Sequence, residues 1–194
     1  MKKIEWVYRE ILYHCYEQKK YSLTQLELST RLQISLSTVH HALQPLQQMG
    51  AINIKLKNFQ IIDAQKILYH WASLRNLKRD IVYQTRAELP VRKMEAEMPP
   101  GIIFTAYSAY KFKFKDVPAD YSEVYVYGKA EELQKRFPPN TKSPNLFVLA
   151  QDPFLERYGK TATRAQIFVD LWNLPEWYAK EFLMALQKRL EEKE

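Results

Sequence analysis

The sequence predicts an α+β protein in two parts. Three observations carry that expectation. Apolar residues recur at helical spacing up to Met49, then switch to alternation between Ile52 and Ile61. Beyond residue 80, short β-branched and aromatic runs trade places with short amphipathic ones. The chain then closes on a long amphipathic stretch after Pro175. The expected division is a helical module ending in a hairpin (1–63), a linking helix (64–79), and an α+β domain with a mixed sheet and a long C-terminal helix (80–194).

In the first part, Ile4, Tyr8, Ile11, Leu12 and Cys15 mark one face of a helix over 3–18. Ser22 or Thr24 can cap a second helix, with Leu26, Leu28 and Leu32 among its apolar positions. After a short turn, Ser35 caps a third helix from Leu36 to about Met49, and Gly50 ends it as a left-handed residue. Val39, Leu43 and Leu46 face inward, while Pro45 removes one backbone hydrogen bond and predicts a slight bend. The stretch "AINIKLKNFQIID" predicts a hairpin with a basic two-residue tip. Leu56 would then pair with Phe59, placing Ile52, Ile54, Leu56, Phe59 and Ile61 on one face.

In the remainder, Ile67, Leu68, Trp71 and Leu74 share a helical face within 64–76. "DIVYQT" reads as a strand and "PVRKMEAEMPP" as a short helix stopped by prolines. "GIIFTAYSAYKF" gives a strand followed by a helix or turn, "SEVYVYG" a strand, "KAEELQKRF" a helix and "NLFVLA" a strand. "RAQIFVDLWN" reads as a last strand before the closing helix "PEWYAKEFLMALQKRLEEK". Lys111, Lys113 and Lys115 alternate with Phe112 and Phe114, a pattern shared by half-buried strands and nucleic-acid-binding ones.

Composition narrows the functional classes. A net charge of +7 favours polyanionic partners in general. One cysteine, Cys15, excludes an internal disulfide framework and fits a reducing compartment. The N-terminus lacks a signal-peptide pattern and no run is long enough to span a membrane, so a cytoplasmic protein is expected. Four glycines disfavour glycine-rich phosphate loops.

From Leu28 to Ile62, 35 residues contain no Asp or Glu, in a chain with 22 such residues. The expected third helix and hairpin lie inside that gap. Helix, helix, turn, helix, hairpin is the winged helix-turn-helix order. A helix entering the major groove lies between rows of phosphates, which repel carboxylates. Its outward side would offer Ser35, Ser37, Thr38, His40, His41 and Gln44 to phosphates and base edges, with Gln44 suited to adenine N6 and N7. Lys55, Lys57 and Asn58 would serve the hairpin beside them. The stretch "LTQLELSTRLQISLSTVHHALQPLQQMGAI" resembles the winged-helix domains of bacterial and archaeal transcription regulators. That resemblance implies double-stranded DNA as partner and a homodimer on palindromic sites, with the helix at 64–76 as candidate contact.

The second part resembles a nucleotidyltransferase layout that has lost its chemistry. Such enzymes set a Gly-Ser turn at a helix start and two carboxylates on one face of the following strand, to hold Mg²⁺. In "FTAYSAYKFKFKDVPADYSEVYVYG" the turn is Ala106-Tyr107 or Tyr107-Ser108, and the acidic pair reads Glu123-Val124-Tyr125. No catalytic residue is expected. "RYGKTATR" ends like a phosphate-binding loop, but Phe154 stands where its first glycine belongs. His14, His40, His41, His70 and Cys15 offer no metal-ligand spacing, so neither metal nor cofactor is expected. Asp170 reads as a packing or capping residue.

With "FTAYSAY", "EVYVYG" and "RAQIFVDLWNLPEWYAKEFLMAL", the whole chain resembles the antitoxin of bacterial type IV abortive-infection toxin–antitoxin systems. The resemblance implies repression of its own promoter and a partner toxin held through residues 80–194. Two alternatives stand beside this non-enzymatic regulator: a divergent Mg²⁺-dependent nucleotidyltransferase acting on nucleic acid, and a protein-interaction module that binds no DNA.

Overall fold

The computed structural model describes residues 1–192. The chain divides into two compact units, Met1–Arg75 and one from Asn76 onward. The protein is α+β, with one small sheet in each unit.

The first unit runs α1 (Lys3–Tyr16), β1 (Ser22–Leu23), α2 (Gln25–Leu32), α3 (Leu36–Gln48), β2 (Ile52–Ile54), β3 (Phe59–Ile61) and α4 (Ala64–Leu74). Thr24 caps α2 by accepting from the Glu27 N–H at 2.9 Å, so of the two expected caps it is Thr24; Ser22 pairs into β1. The α3 helix runs unbroken through Pro45. It ends in a Schellman turn, in which Gly50 N–H donates to Gln47 O and Ala51 N–H to Leu46 O at 2.8 Å. Gly50 has a φ of +70°, which a residue with a Cβ adopts only at a cost. Val7, Ile11, Leu28, Leu32, Val39, Leu43 and Leu46 form the buried centre of the three-helix packing.

The helix expected as a linker packs instead into this first unit. Ile67, Leu68 and Trp71 of α4 are buried, and Trp71 Nε1–H donates to Glu5 Oε2 on α1 at 3.2 Å. Arg75 approaches the same oxygen at 3.6 Å, so a buried carboxylate ties both ends of the unit together. Leu74 is exposed, off the face that the spacing gave it.

The hairpin register also differs from the expectation. Ile54, not Leu56, pairs with Phe59, and Ile52 pairs with Ile61. The tip is Lys55–Asn58, closed by Lys55 N–H donating to Asn58 O at 2.8 Å. A slip of two residues keeps Ile52, Ile54, Phe59 and Ile61 on one face, because side chains alternate with period two. The register with Leu56 opposite Phe59 would have set Ile52 opposite Asp63. Leu56 is released to solvent, 98% exposed at the tip. β1 adds to the outer side of β3, giving the order β1-β3-β2, all antiparallel.

The second unit contains β4 (Ile81–Thr85), α5 (Val91–Ala96), β5 (Ile103–Phe104), α6 (Ala106–Phe114), β6 (Val124–Gly128), α7 (Ala130–Arg136), β7 (Leu146–Ala150), α8 (Arg164–Trp172) and α9 (Ala179–Glu191). The sheet is mixed, in the order β4-β7-β6-β5, with β6 and β7 parallel and both outer pairs antiparallel. One face packs Tyr83, Val124, Val126, Leu146 and Val148 against Met94, Leu133 and Phe137 from α5, α7 and its end. Tyr125 and Tyr127 point to the opposite face, toward α6, α8 and the segment leading into α9.

Two expectations for this unit are corrected. "RAQIFVDLWN" is helix α8, not a strand. Ala165 through Leu171 are all buried, the polar Gln166 and Asp170 included, so the helix has no exposed side to give the sequence a helical period. Thr163 caps it, accepting from Gln166 N–H at 3.2 Å. The alternating Lys and Phe residues 111–115 also belong to a helix end, α6, rather than a strand. Lys111 is paired with Glu95 there. The closing helix begins at Ala179, a turn later than Pro175, and its expected reach to Lys193 lies outside the described residues.

Candidate nucleic-acid interface

The outward side of α3 is polar and organised. Ser35 caps the helix by accepting from Thr38 N–H at 3.1 Å, and its Oγ lies 2.9 Å from Thr38 Oγ1. Both hydroxyls are therefore partly committed to the helix start. One turn on, Gln44 joins two histidines: its Nε2 donates to His40 Nε2 at 3.3 Å, and its Oε1 accepts from His41 Nδ1 at 3.4 Å. One amide hydrogen and one oxygen lone pair remain on Gln44, the donor and acceptor that a bidentate contact to adenine requires. Ser37, His40, His41 and Gln44 are exposed.

A cleft of about 570 Å³ separates the start of α3 from the hairpin tip. Ser37 and His40 stand on one wall, Lys55, Leu56, Lys57 and Asn58 on the other, and the first residues of α2 close it. Five of the nine expected contact residues thus meet at one place; Ser35, Thr38, His41 and Gln44 lie on α3 outside it. Asn58 has a structural task as well, because its Nδ2 donates to Ser22 Oγ at 3.0 Å and holds the tip to β1.

No acidic side chain lines this cleft. The nearest carboxylate in sequence, Glu27, is bound by Lys20 Nζ at 2.6 Å and serves the α2 cap. That lysine holds the Glu27 carboxyl below the usual carboxylate range. The N-termini of α2 and α3 both open on the cleft, adding the positive ends of two helix dipoles to two lysines. A phosphate chain passing between helix and hairpin would meet donors and positive potential and no carboxylate.

The sequence reading missed the apolar part of this surface. Leu26, Leu36 and Leu56 are exposed around the cleft, where thymine methyl groups or sugar edges can be covered. Leu56 escaped notice because alternation placed it in the core.

Elsewhere, Asp170 is buried on α8 and accepts from Thr105 Oγ1 at 2.7 Å and Tyr127 OH at 2.6 Å. It locks helix to sheet, in keeping with the packing role read for it. Glu123 and Tyr125 share a face of the β6 segment, and a residue that the sequence did not single out, Glu176, joins them. Its two oxygens accept from Tyr125 OH at 3.0 Å and Tyr107 OH at 3.1 Å. Glu176 stands alone in a loop, and only the tertiary fold brings it there.

Residues 18–53 match a family described as winged helix-turn-helix DNA-binding. The match spans β1, α2, α3 and the start of β2, and so covers the α2 and α3 sides of the cleft but stops before the hairpin tip. No curated protein and no solved structure matches the chain. Residues 18–53 are thus a winged helix-turn-helix, with α3 in the place of its recognition helix and β2 opening its wing. No helix among the described residues is long and apolar enough to cross a membrane.

Proposed function

We propose that the chain is a sequence-selective, double-stranded-DNA-binding transcription regulator of the antitoxin-like kind. Its first unit reads DNA; its second is a cytoplasmic, non-catalytic domain that senses a ligand or restrains a partner toxin. The observation that carries the reading is the carboxylate-free cleft joining recognition helix and wing. Phosphate contacts there supply affinity, and the His40–His41–Gln44 group supplies base readout.

The degenerate nucleotidyltransferase-like reading of the second unit draws support from Ala106. Its φ of +49° is in the left-handed region that favours glycine, at one of the two positions where the resemblance puts glycine. Tyr125 occupies the place of the second strand carboxylate. A homodimer follows from the palindromic sites such regulators read. Because α4 buries Ile67, Leu68 and Trp71 within its own unit, the pairing surface lies elsewhere than on that face.

Fluorescence anisotropy with DNA from upstream of the gene, against scrambled duplex across a salt series, tests the reading. Selective binding that falls steeply with salt is the expected result. Equal binding to both duplexes, unchanged by Lys55→Ala with Lys57→Ala, would reject it. One observation favours a second reading, a divergent Mg²⁺-dependent nucleotidyltransferase: the Glu123 carboxyl is raised by burial first and then by the charge of Glu176, so a second carboxylate acts on the one that the layout retains. Nucleotide transfer abolished by Glu123→Ala would establish that alternative.

A further inference from the structure

We infer that the second unit binds a small organic cation with a flat aromatic body, in a cleft between the sheet and the segment linking α8 to α9. This deepens the sensing role proposed for that unit and needs nothing from the DNA-binding surface. The cleft has a volume of about 620 Å³, within the range of roughly 300–1,000 Å³ usual for small-molecule sites.

Its floor is a row of three registered residues, Gln84, Phe147 and Tyr125, on neighbouring strands β4, β7 and β6. Phe147 and Tyr125 lie parallel, with centroids 4.6 Å apart and an 8° angle between rings. Each ring covers one face of the other, and Phe147, the more exposed of the two, keeps its outer face on the Gln84 side for a flat ring to cover or a cation to approach. Leu174 and Glu176 form the far wall.

Glu176 sets the charge of the ligand. Its carboxylate receives hydrogen bonds from the hydroxyls of Tyr107 and Tyr125, both neutral donors. Burial first, and Glu176 itself second, push both phenols far above their ordinary range. Among the described residues no Lys, Arg or His forms an ion pair with Glu176. Lys78, the one cation lining the cleft, makes no such pair. Glu123 adds a second carboxyl nearby, and its pKa is raised by burial and then by Glu176. A negative charge beside aromatic walls, balanced by hydroxyls alone, favours an ammonium or amidinium over a neutral or anionic guest.

A metal ion fits less well. Among the described residues no group of three or more His, Cys, Asp or Glu side chains is arranged to hold one. Hard divalent cations take six or more oxygens. Two walls of the cleft are instead hydrocarbon and aromatic.

Calorimetric titration of the full chain with tryptamine, phenethylamine and benzamidine as probes tests the inference. Indole-3-acetate serves as the anion of matched shape. At least one cation should bind saturably, with affinity at least tenfold lower in Glu176→Gln and in Phe147→Ala, and indole-3-acetate should not bind. Near-UV circular dichroism identifies any variant that fails to fold, and Lys78→Ala, which removes the one positive charge lining the cleft, should leave cation binding no weaker than in the parent. Saturation by none of the three probes overturns the inference, as does equal binding of the anion. Indifference of a folded Glu176→Gln also overturns it. Mg²⁺ binding lost in Glu176→Gln, without amine binding, would reassign the cleft to a metal. DNA plays no part in these titrations, so a failed cation site and a failed DNA reading give separate results.

Discussion

Gln44 Nε2 lies 3.3 Å from His40 Nε2, one helical turn back on the exposed side of α3. The same amide accepts from His41, so the three side chains hold one another in a fixed arrangement before DNA arrives. Preorganised side chains lose less freedom on binding than independent ones. Gln44→Ala should therefore cost discrimination at one base-pair position, by about 1–3 kcal/mol. Because the residue is exposed, the urea midpoint should not move. Anisotropy against a panel of single-base variants of the selected site measures the loss. Uniform weakening across the panel would reassign Gln44 to the phosphates.

The wing should behave in the opposite way. Lys55 and Lys57 flank Leu56 at a tip with no carboxylate in reach. Replacing either with Ala should weaken binding to all duplexes alike and lower the slope of log affinity against log salt by about 1. Leu56→Ala should leave stability unchanged, since that side chain is 98% exposed, yet reduce affinity through lost apolar contact with DNA. Identical salt slopes for the parent and the lysine variants would show that the wing stays off the backbone.

These surfaces were partly legible before the fold was known. Ser35, Thr24 and Gly50 announce helix ends because each satisfies orphan backbone groups by a local mechanism, and local mechanisms are written in adjacent residues. The hairpin register was not legible, because a two-residue slip preserves alternation and only the competition between Leu56 and Ile54 for Phe59 separates the two pairings. In α8 the uniform burial from Ala165 to Leu171 erased the helical period. Glu176 meets Tyr107 and Tyr125 across 69 and 51 residues of chain, a relation that no spacing rule carries.

Two alanines in one helix should respond to glycine by different amounts, Ala109 losing more than Ala106. Ala106 and Ala109 are both fully buried, so each loses the same methyl contact. Ala106 has a φ of +49°, whereas Ala109 lies within the right-handed run of α6. At Ala109, glycine should destabilise by about 1 kcal/mol from backbone freedom alone. At Ala106 the relief of left-handed strain, about 1–2 kcal/mol, should cancel or exceed that cost. Urea denaturation of the two variants side by side decides it. Equal losses would mean that the turn before α6 stores no strain.

Acid titration reaches the Glu123–Glu176 pair. Burial, then the neighbouring Glu176, raises the Glu123 carboxyl above its unfolded value, against hydrogen bonds that pull it down. The folded state therefore binds this proton more tightly than the unfolded chain does. The contribution of Glu123 to stability is fully present below the unfolded pKa, near 4.3 for a model glutamate. It declines as pH rises through the higher folded value. Other carboxylates titrate in the same range, so the informative quantity is the difference between the parent and Glu123→Gln. The parent should compare better with the variant at pH 4 than at pH 8, because only the parent loses a proton from a half-buried site in between. Urea midpoints at both pH values measure this difference. A pH-independent difference would show that Glu123 titrates as it does in the unfolded chain, and would remove the second carboxylate from the charge of the neighbouring cleft.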